Sequence, residues 1–319
     1  MEVNQNTFIE VSDALEMGNP AIVEKDYYVV SLLKLLAELS FDTHLMVFSG
    51  GTALAKSGIK THRMSEDVDI KLIPQDVFEK LASRGACKKA RKQVYLTIVD
   101  AIEKSSIFSV EGEPIKRDEY RYQVINIRYP QSHSIAPCLR PFIKLELIET
   151  TLHDETETRA ITSLTAEAYK NKAEVDAMEF TSILSTQAEK IISMLRRTAS
   201  FDRDQSRGED PALIRHIYDT FYIQNAGSAN LKDVIALVRQ VIDEDVERFG
   251  TQHPQFVENP IKELKYGLML LEKNPQFEER FNKYVAPMVY GRIPITWTDA
   301  FTVFKSFTND ILDAIEINN

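Results

Sequence analysis

The sequence predicts an α+β protein: a small mixed sheet with helices over residues 1–160, followed by an all-α segment over 161–319. Three observations predict it. Only 11 glycines occur in 319 residues, well below the usual ~7%, which favours helices over a turn-rich β fold. Period-two alternation recurs at 67–72, 120–130 and 141–150, the pattern of half-buried strands. Past residue 160 the strand patterns stop. The segments 184–199, 210–224, 229–249, 257–273 and 297–316 carry apolar residues at helical spacing instead. At roughly 150 residues per domain the length fits about two domains.

The first half reads as follows. Residues 20–38 place Ile22, Tyr28, Val29, Leu32, Leu33 and Leu36 on one helical face behind Asn19-Pro20, a cap followed by proline at the first helical position. LMVFSGG is a short apolar strand ending in two glycines, and TALAKSG opens a short helix. In DVDIKL, Val68, Ile70 and Leu72 oppose Asp67, Asp69 and Lys71. Residues 75–105 read as helical, with Arg84, Lys88, Lys89, Arg91 and Lys92 as a basic run. YRYQVINIRYP and PFIKLELIET alternate as strands, the latter with Ile143, Leu145 and Leu147 against Lys144 and Glu146.

Composition narrows the class. Net charge is −10, with 44% hydrophobic and 27% charged residues, so a disordered tail, a collagen-like fibre and a disulfide scaffold are excluded. Bulk acidity disfavours non-specific nucleic-acid binding but leaves room for a local basic patch. Cys87 and Cys138 are too few for a metal cluster and are not expected to pair, which fits a reducing compartment. MEVNQNTFIEVSDALEM has acids where a secretory leader needs a basic and then an apolar start. No apolar stretch reaches the ~20 residues needed to span a bilayer. The expected location is cytoplasmic, with no membrane association.

One arrangement stands out: a strand running into Ser49-Gly50-Gly51, a short helix, and a strand presenting Asp67 and Asp69. Glycines at a strand-to-helix turn let backbone N–H groups approach a phosphate. Carboxylates two apart on a strand point the same way and repel unless a cation lies between them. Hard oxygen ligands suit Mg²⁺ bridging to nucleotide phosphates. Glu146, outward-facing in IKLEL, is the candidate third carboxylate of a two-metal clamp.

The stretch FSGGTALAKSGIKTHRMSEDVDIKL resembles the signature of the AbiEii/AbiGii nucleotidyltransferase family, a Gly-Gly-Thr-x-Leu turn followed by Arg-x-Ser-x-Asp-h-Asp. EKDYYVVSLLKLL at 24–36, IKLEL, and EKIISMLRRTASFDRDQSRGEDPALIRHIYDTFYI at 189–223 are similar to three further family blocks in the same order. The resemblance implies a nucleotidyltransferase-type sheet domain of the polymerase-β-like superfamily. In that reading Gly50 and Gly51 hold the phosphates, Ser49 and Thr52 supply hydroxyls, and Arg63 and Ser65 shape the nucleotide-binding loop. Asp67 and Asp69 bind Mg²⁺ or Mn²⁺, with Glu146 as third ligand or as the base that activates an incoming hydroxyl. Lys190 matches the catalytic lysine and neutralises the triphosphate, delivered from the helical domain into a cleft. Asp219 matches a late acid that pairs with Lys190 or orients the acceptor.

The resemblance further implies the toxin of a type IV toxin–antitoxin or abortive-infection system. It would transfer a nucleotide from a nucleoside triphosphate to tRNA and be opposed by a separately encoded winged-helix antitoxin. The rival readings are the same chemistry on a protein or small-molecule acceptor, and a nucleotide-binding module without turnover.

Simpler readings stand beside several of these residues. Lys190 and Arg197 share a helical face that solvent alone explains. Arg215 and Asp219, at i and i+4, predict an ordinary surface ion pair. His216 reads as structural. Lys25 and Asp26 form local pairs unless Lys25 reaches a phosphate. The run Arg84–Lys92, and Arg196, Arg197, Arg203 and Arg207, are solvated faces or edges of an RNA track. Trp297, Phe301, Phe304 and Phe307 read as core.

Overall fold

Alternation along the strands is realised as one mixed sheet in a computed structural model that describes residues 3–135, 139–290 and 295–317. Cys138 lies outside them, and Cys87 is a free thiol. The chain divides into two units, residues 1–58 with 64–181, and residues 59–63 with 182–319.

In the first unit α1 (Gln5–Ala14) and α2 (Pro20–Ala37) precede β1 (His44–Ser49), α3 (Gly50–Lys56) and β2 (Asp67–Pro74). Then come α4 (Asp76–Glu79), α5 (Arg84–Lys104), β3 (Ser109–Arg117), β4 (Tyr122–Arg128), β5 (Ile143–Glu149), β6 (Glu157–Ile161), α6 (Leu164–Ala168) and β7 (Val175–Phe180). Their sheet order is β3-β4-β5-β2-β1-β7-β6. The start of α2 follows from Asn19, whose side chain accepts from Ala21 N at 2.8 Å while Pro20 needs no donor partner. One sheet face, with Phe48, Val68, Ile70, Ile125, Leu145 and Leu147, packs against Val29, Leu32, Leu33 and Leu36 of α2 and Val94, Ile98 and Ile102 of α5. Each fully buried apolar side chain there contributes about 1.5–3 kcal/mol.

The sheet is larger than its apolar alternation predicts, and its strands continue past residue 160. β3 holds Gly112 and Pro114 with a register shift between Glu111 and Ile115, so an exposed edge strand carries no clean period. β7 mixes Asp176 and Glu179 with its apolar residues, and its partner β6 shifts register between Arg159 and Ile161.

The second unit contains α7 (Ile183–Arg203), α8 (Arg215–Asn225), α9 (Leu231–Phe249), α10 (Pro254–Glu258), α11 (Pro260–Lys273), α12 (Gln276–Tyr284) and α13 (Trp297–Ile317). Its helices match the five predicted segments and add the short α10 and α12, the latter with a charged sequence that hides only Phe277 and Phe281. Phe301 and Phe304 are buried as the core reading requires, while Trp297, stacked on Phe301 at 4.7 Å, and Phe307 are half-buried. Residues 59–63 are threaded into this unit. Tyr218 Oη donates to Thr61 O at 2.6 Å, and Tyr290 N donates to His62 O at 2.8 Å.

Close approach of α11 to α7 depends on Gly267, where a Cβ would sit 2.3 Å from the carbonyl oxygen of Leu195. Gly267→Ala must therefore push the helices apart. The expected loss is about 1–3 kcal/mol, read from denaturant unfolding, despite alanine's better helix propensity. An unchanged midpoint would show that the contact relaxes freely.

Candidate active site

The acidic strand gains its third carboxylate from strand register. β2 and β5 run parallel with Asp69 beside Glu146 and Asp67 beside Lys144, and β1 sets Ser49 beside Asp69. Because partners across a ladder share a face, Ser49, Asp67, Asp69, Lys144 and Glu146 crowd the sheet face opposite the α2–α5 core. The expected trio of Asp67, Asp69 and Glu146 is thus assembled on neighbouring strands.

Their side chains are turned onto neighbours rather than gathered at one point. Among the described residues no three acidic, His or Cys side chains form an ion-sized cluster. Asp67 pairs with the guanidinium of Arg140, and Glu146 accepts from Lys144 Nζ at 2.7 Å and Tyr122 Oη at 3.1 Å. Asp69 Oδ2 packs over Gly50, where a Cβ would lie 2.1 Å away, and Gly50 has φ +78°. Both facts demand glycine at that turn. Burial pulls the Lys144 ammonium down, yet Glu146 and the nearby Asp67 and Asp69 hold it above its ordinary value.

The hydroxyls of the turn are spent on the strand. Ser49 Oγ donates to Asp69 O at 3.1 Å. Thr52 Oγ1 lies 2.5 Å from Asp67 O and 3.0 Å from Ser65 Oγ. A hydroxyl has one proton, so Thr52 donates to the strand carbonyl and accepts from Ser65. Ser49, Thr52 and Ser65 therefore fasten the glycine turn to the acidic strand. Gly51 follows Gly50 in the first turn of α3.

The Glu-Lys-Asp segment of α2 explains itself once folded. Lys25 is fully buried, and Nζ donates to Glu66 Oε2 at 2.5 Å, Arg140 O at 2.7 Å and Phe142 O at 2.9 Å. An ammonium has three protons, so all are consumed and none serves a phosphate. Burial lowers the Lys25 ammonium's pKa against the pull of Glu66. Asp26 pairs with Lys56 and accepts from Leu164 N, and Glu24 accepts from Ser132 N and His133 N.

Lys190, Asp219 and Arg63 meet in the helical unit. Asp219 is fully buried. Its carboxylate receives Arg63 Nη2 at 2.9 and 3.0 Å and Lys190 Nζ at 2.9 Å. Burial raises the Asp219 pKa, but Arg63 and Lys190 outweigh it and bring the group to about 2. This corrects two readings. Asp219 does not pair with Arg215, whose Nε donates to Tyr284 O at 3.3 Å, and Lys190 is buried rather than on a solvated face. His216 Nδ1 lies 3.2 Å from Lys190 O, and burial together with Lys190 keeps its pKa far below 6.5, so the ring is neutral and structural.

The arginines considered for an RNA track have partners inside their own unit. Arg196 pairs with Asp245, Arg197 with Asp210, Arg203 with Glu263 and Arg207 with Asp204. Arg91 is buried against Glu149, which leaves Lys88, Lys89 and Lys92 as the exposed lysines of the basic run. Arg140, Tyr122 and Glu66 escaped sequence reasoning. Lys144 was visible as the outward neighbour of Glu146, but Arg140 lies outside any strand pattern.

The family model described as nucleotidyl transferase AbiEii toxin, type IV TA system, matches residues 33–303. The nucleotidyltransferase toxin MenT4 from Mycobacterium tuberculosis H37Rv is similar over 98% of this chain and 90% of its own, with a TM-score of 0.65 and 17% identity, a likeness of fold. An H. pylori protein assigned as a nucleotidyltransferase gives a TM-score of 0.41 at 16% identity over 93% of this chain and 96% of its own. The STING-associated CdnE c-di-GMP synthase from Capnocytophaga granulosa gives 0.28 at 12% over 96% and 86%. Both lie below the similarity at which a shared fold is shown. No curated protein sequence matches the chain.

Because Arg63 and Lys190 are buried around one carboxylate, Asp219→Asn strands two cations. The expected loss is about 3–5 kcal/mol at neutral pH. With a folded pKa of about 2 against 3.8, Asp219 stabilises above pH ~4, and that contribution disappears as pH falls toward 2. The difference in unfolding free energy between wild type and variant should therefore shrink over that window. A constant difference from pH 7 to 2 would contradict the assignment.

Proposed function

The chain belongs to the AbiEii family of type IV toxin nucleotidyltransferases, and from that premise we propose metal-dependent transfer of a nucleotide from a nucleoside triphosphate to tRNA. The observation that carries this reading is the register of Asp69 beside Glu146, with Asp67 on the same face and Gly50 pressed beneath Asp69. A nucleotidyltransferase of this family takes a nucleoside triphosphate, and a type IV system implies a separate antitoxin. A winged-helix antitoxin is the partner the resemblance implies. Among the described residues no helix is long and apolar enough to cross a membrane, and a cytoplasmic site of action is part of the proposal.

The donor set fits a hard divalent cation: three carboxylates on adjacent strands, all oxygen, with Mg²⁺ or Mn²⁺ as the matching ions. Asp67, Asp69 and Glu146 would hold it, and it would supply charge neutralisation along the triphosphate. The acceptor hydroxyl attacks the α-phosphorus in line, the bond to the bridging oxygen breaks, and pyrophosphate leaves while the hydroxyl proton passes to a base. Glu146 is placed for that role or for third ligand. Gly50 and Gly51 let backbone approach the phosphates, with Ser49, Thr52 and Ser65 holding the turn in shape. Lys190 is assigned the neutralisation of triphosphate charge that the family motif gives it. Arg63 and Asp219 act through Lys190 as positioning residues.

The test is transfer of α-labelled nucleoside triphosphate, each base in turn, to total RNA with Mg²⁺. Label should enter tRNA with wild type and fall at least ~100-fold with Asp69→Ala. Label on protein or a small molecule would move the acceptor. Triphosphate binding without pyrophosphate release from any acceptor would favour a module without turnover.

An RNA acceptor has a second consequence. Lys88, Lys89 and Lys92 are the exposed lysines of their run, so changing all three to Gln should flatten the salt dependence of tRNA binding by up to ~3 in log–log slope. An unchanged slope would place the RNA elsewhere.

A further inference from the structure

Three carboxylates on one sheet face carry two cations with them, and both cations are partly exposed. Lys144 Nζ sits 2.7 Å from Glu146, and the Arg140 guanidinium sits on Asp67. Their side chains are 29% and 36% exposed, whereas Lys190 at Asp219 is 7% exposed. The latter pair is buried, whereas the former two are open to solvent.

What is fixed is the backbone from which Arg140 reaches. Its N–H donates to Glu66 Oε2 at 2.8 Å, and its carbonyl accepts from Lys25 Nζ at 2.7 Å. Lys25 and Glu66 pair with each other in full burial, and Lys25 also holds the carbonyl of Phe142 just before β5. The buried pair therefore aims one cation at Asp67 and anchors the entry of the strand that delivers the other.

We propose that Arg140 and Lys144 are exchangeable counter-cations. They neutralise Asp67 and Glu146 in the nucleotide-free protein, cede them to a divalent cation, and then contact the phosphates of the triphosphate. The inference rests on the nucleotidyltransferase reading and deepens it by giving substrate-binding roles to two residues to which the resemblance assigns none. Charge balance supplies the reason. A divalent cation added to carboxylates already paired meets two like charges nearby, so the protein's own cations must leave the acids. A triphosphate brings more negative charge than one divalent ion cancels, and guanidinium and ammonium groups are the side chains suited to receive it.

Titration with Mn²⁺ alone, followed by electron paramagnetic resonance without nucleotide, tests this. Lys144→Gln and Arg140→Gln should each bind Mn²⁺ at least ~10-fold more tightly than wild type. Lys144→Arg should match wild type, as should Lys104→Gln, whose exposed charge lies at the end of α5. Asp69→Asn should lose the ion. With Mn²⁺ and an α,β-methylene triphosphate present, the two Gln variants should bind the analogue about 10-fold more weakly. If neither Gln variant gains Mn²⁺ affinity while Asp69→Asn still loses it, the counter-cation role is wrong and the metal site stands. A gain in Mn²⁺ affinity with undiminished analogue binding would remove the phosphate contact and overturn the exchange. Absence of Mn²⁺ binding in wild type and Gln variants, with or without analogue, would defeat the metal reading itself.

Discussion

Like charges on one sheet face repel, and β2 and β5 set Asp67, Asp69 and Glu146 on one face, from which Asp67 and Glu146 turn onto cationic neighbours. Much of the first unit compensates that repulsion. Arg140 and Lys144 supply opposite charge, and Tyr122 adds a donor to Glu146. Behind Arg140 stands the buried Lys25–Glu66 pair, which makes a segment at the far end of the sequence answerable for a contact at the site. Leaving either member unpaired would cost far more than the pair contributes, so the two are retained together.

The glycine turn answers to the same strand. Gly50 lies directly under Asp69 in a left-handed conformation, and the Ser49 and Thr52 hydroxyls are committed to strand carbonyls. These residues read from sequence as direct phosphate donors, and the fold gives them the prior task of fixing the distance between turn and acids.

In the helical unit one carboxylate organises the family's signature residues. Asp219 draws Arg63 and Lys190 together, and Arg63 arrives on residues 59–63, which Tyr218 and Tyr290 stitch into that unit. The short interval from Arg63 to Asp67 in the signature therefore joins two clusters, each built by a separate unit. Internal pairing also consumes the arginines of α7, whose charge looked available for RNA when read along a line.

Period and punctuation were enough to find the five long helices of the second half, the strands β1, β2, β4 and β5, and the acids on the outward face. Those signals are local: burial on one side of an element writes itself every second or every third to fourth residue. β3 and β7 left no such trace, because edge exposure and register shifts erase alternation. The candidate acids Asp67 and Asp69 stand out in a short motif of fixed spacing, with Glu146 the candidate on a neighbouring strand, while Lys190 is a candidate only through the family resemblance. Who faces whom was decided only in three dimensions. That Asp69 lies beside Glu146, that Arg140 covers Asp67, that Lys25 spends every proton on structure and that Asp219 prefers Arg63 to Arg215 all depend on strand register and helix packing across tens to more than a hundred residues. Ion pairs and hydrogen bonds form over a few ångströms of space, and no spacing in the chain encodes that distance.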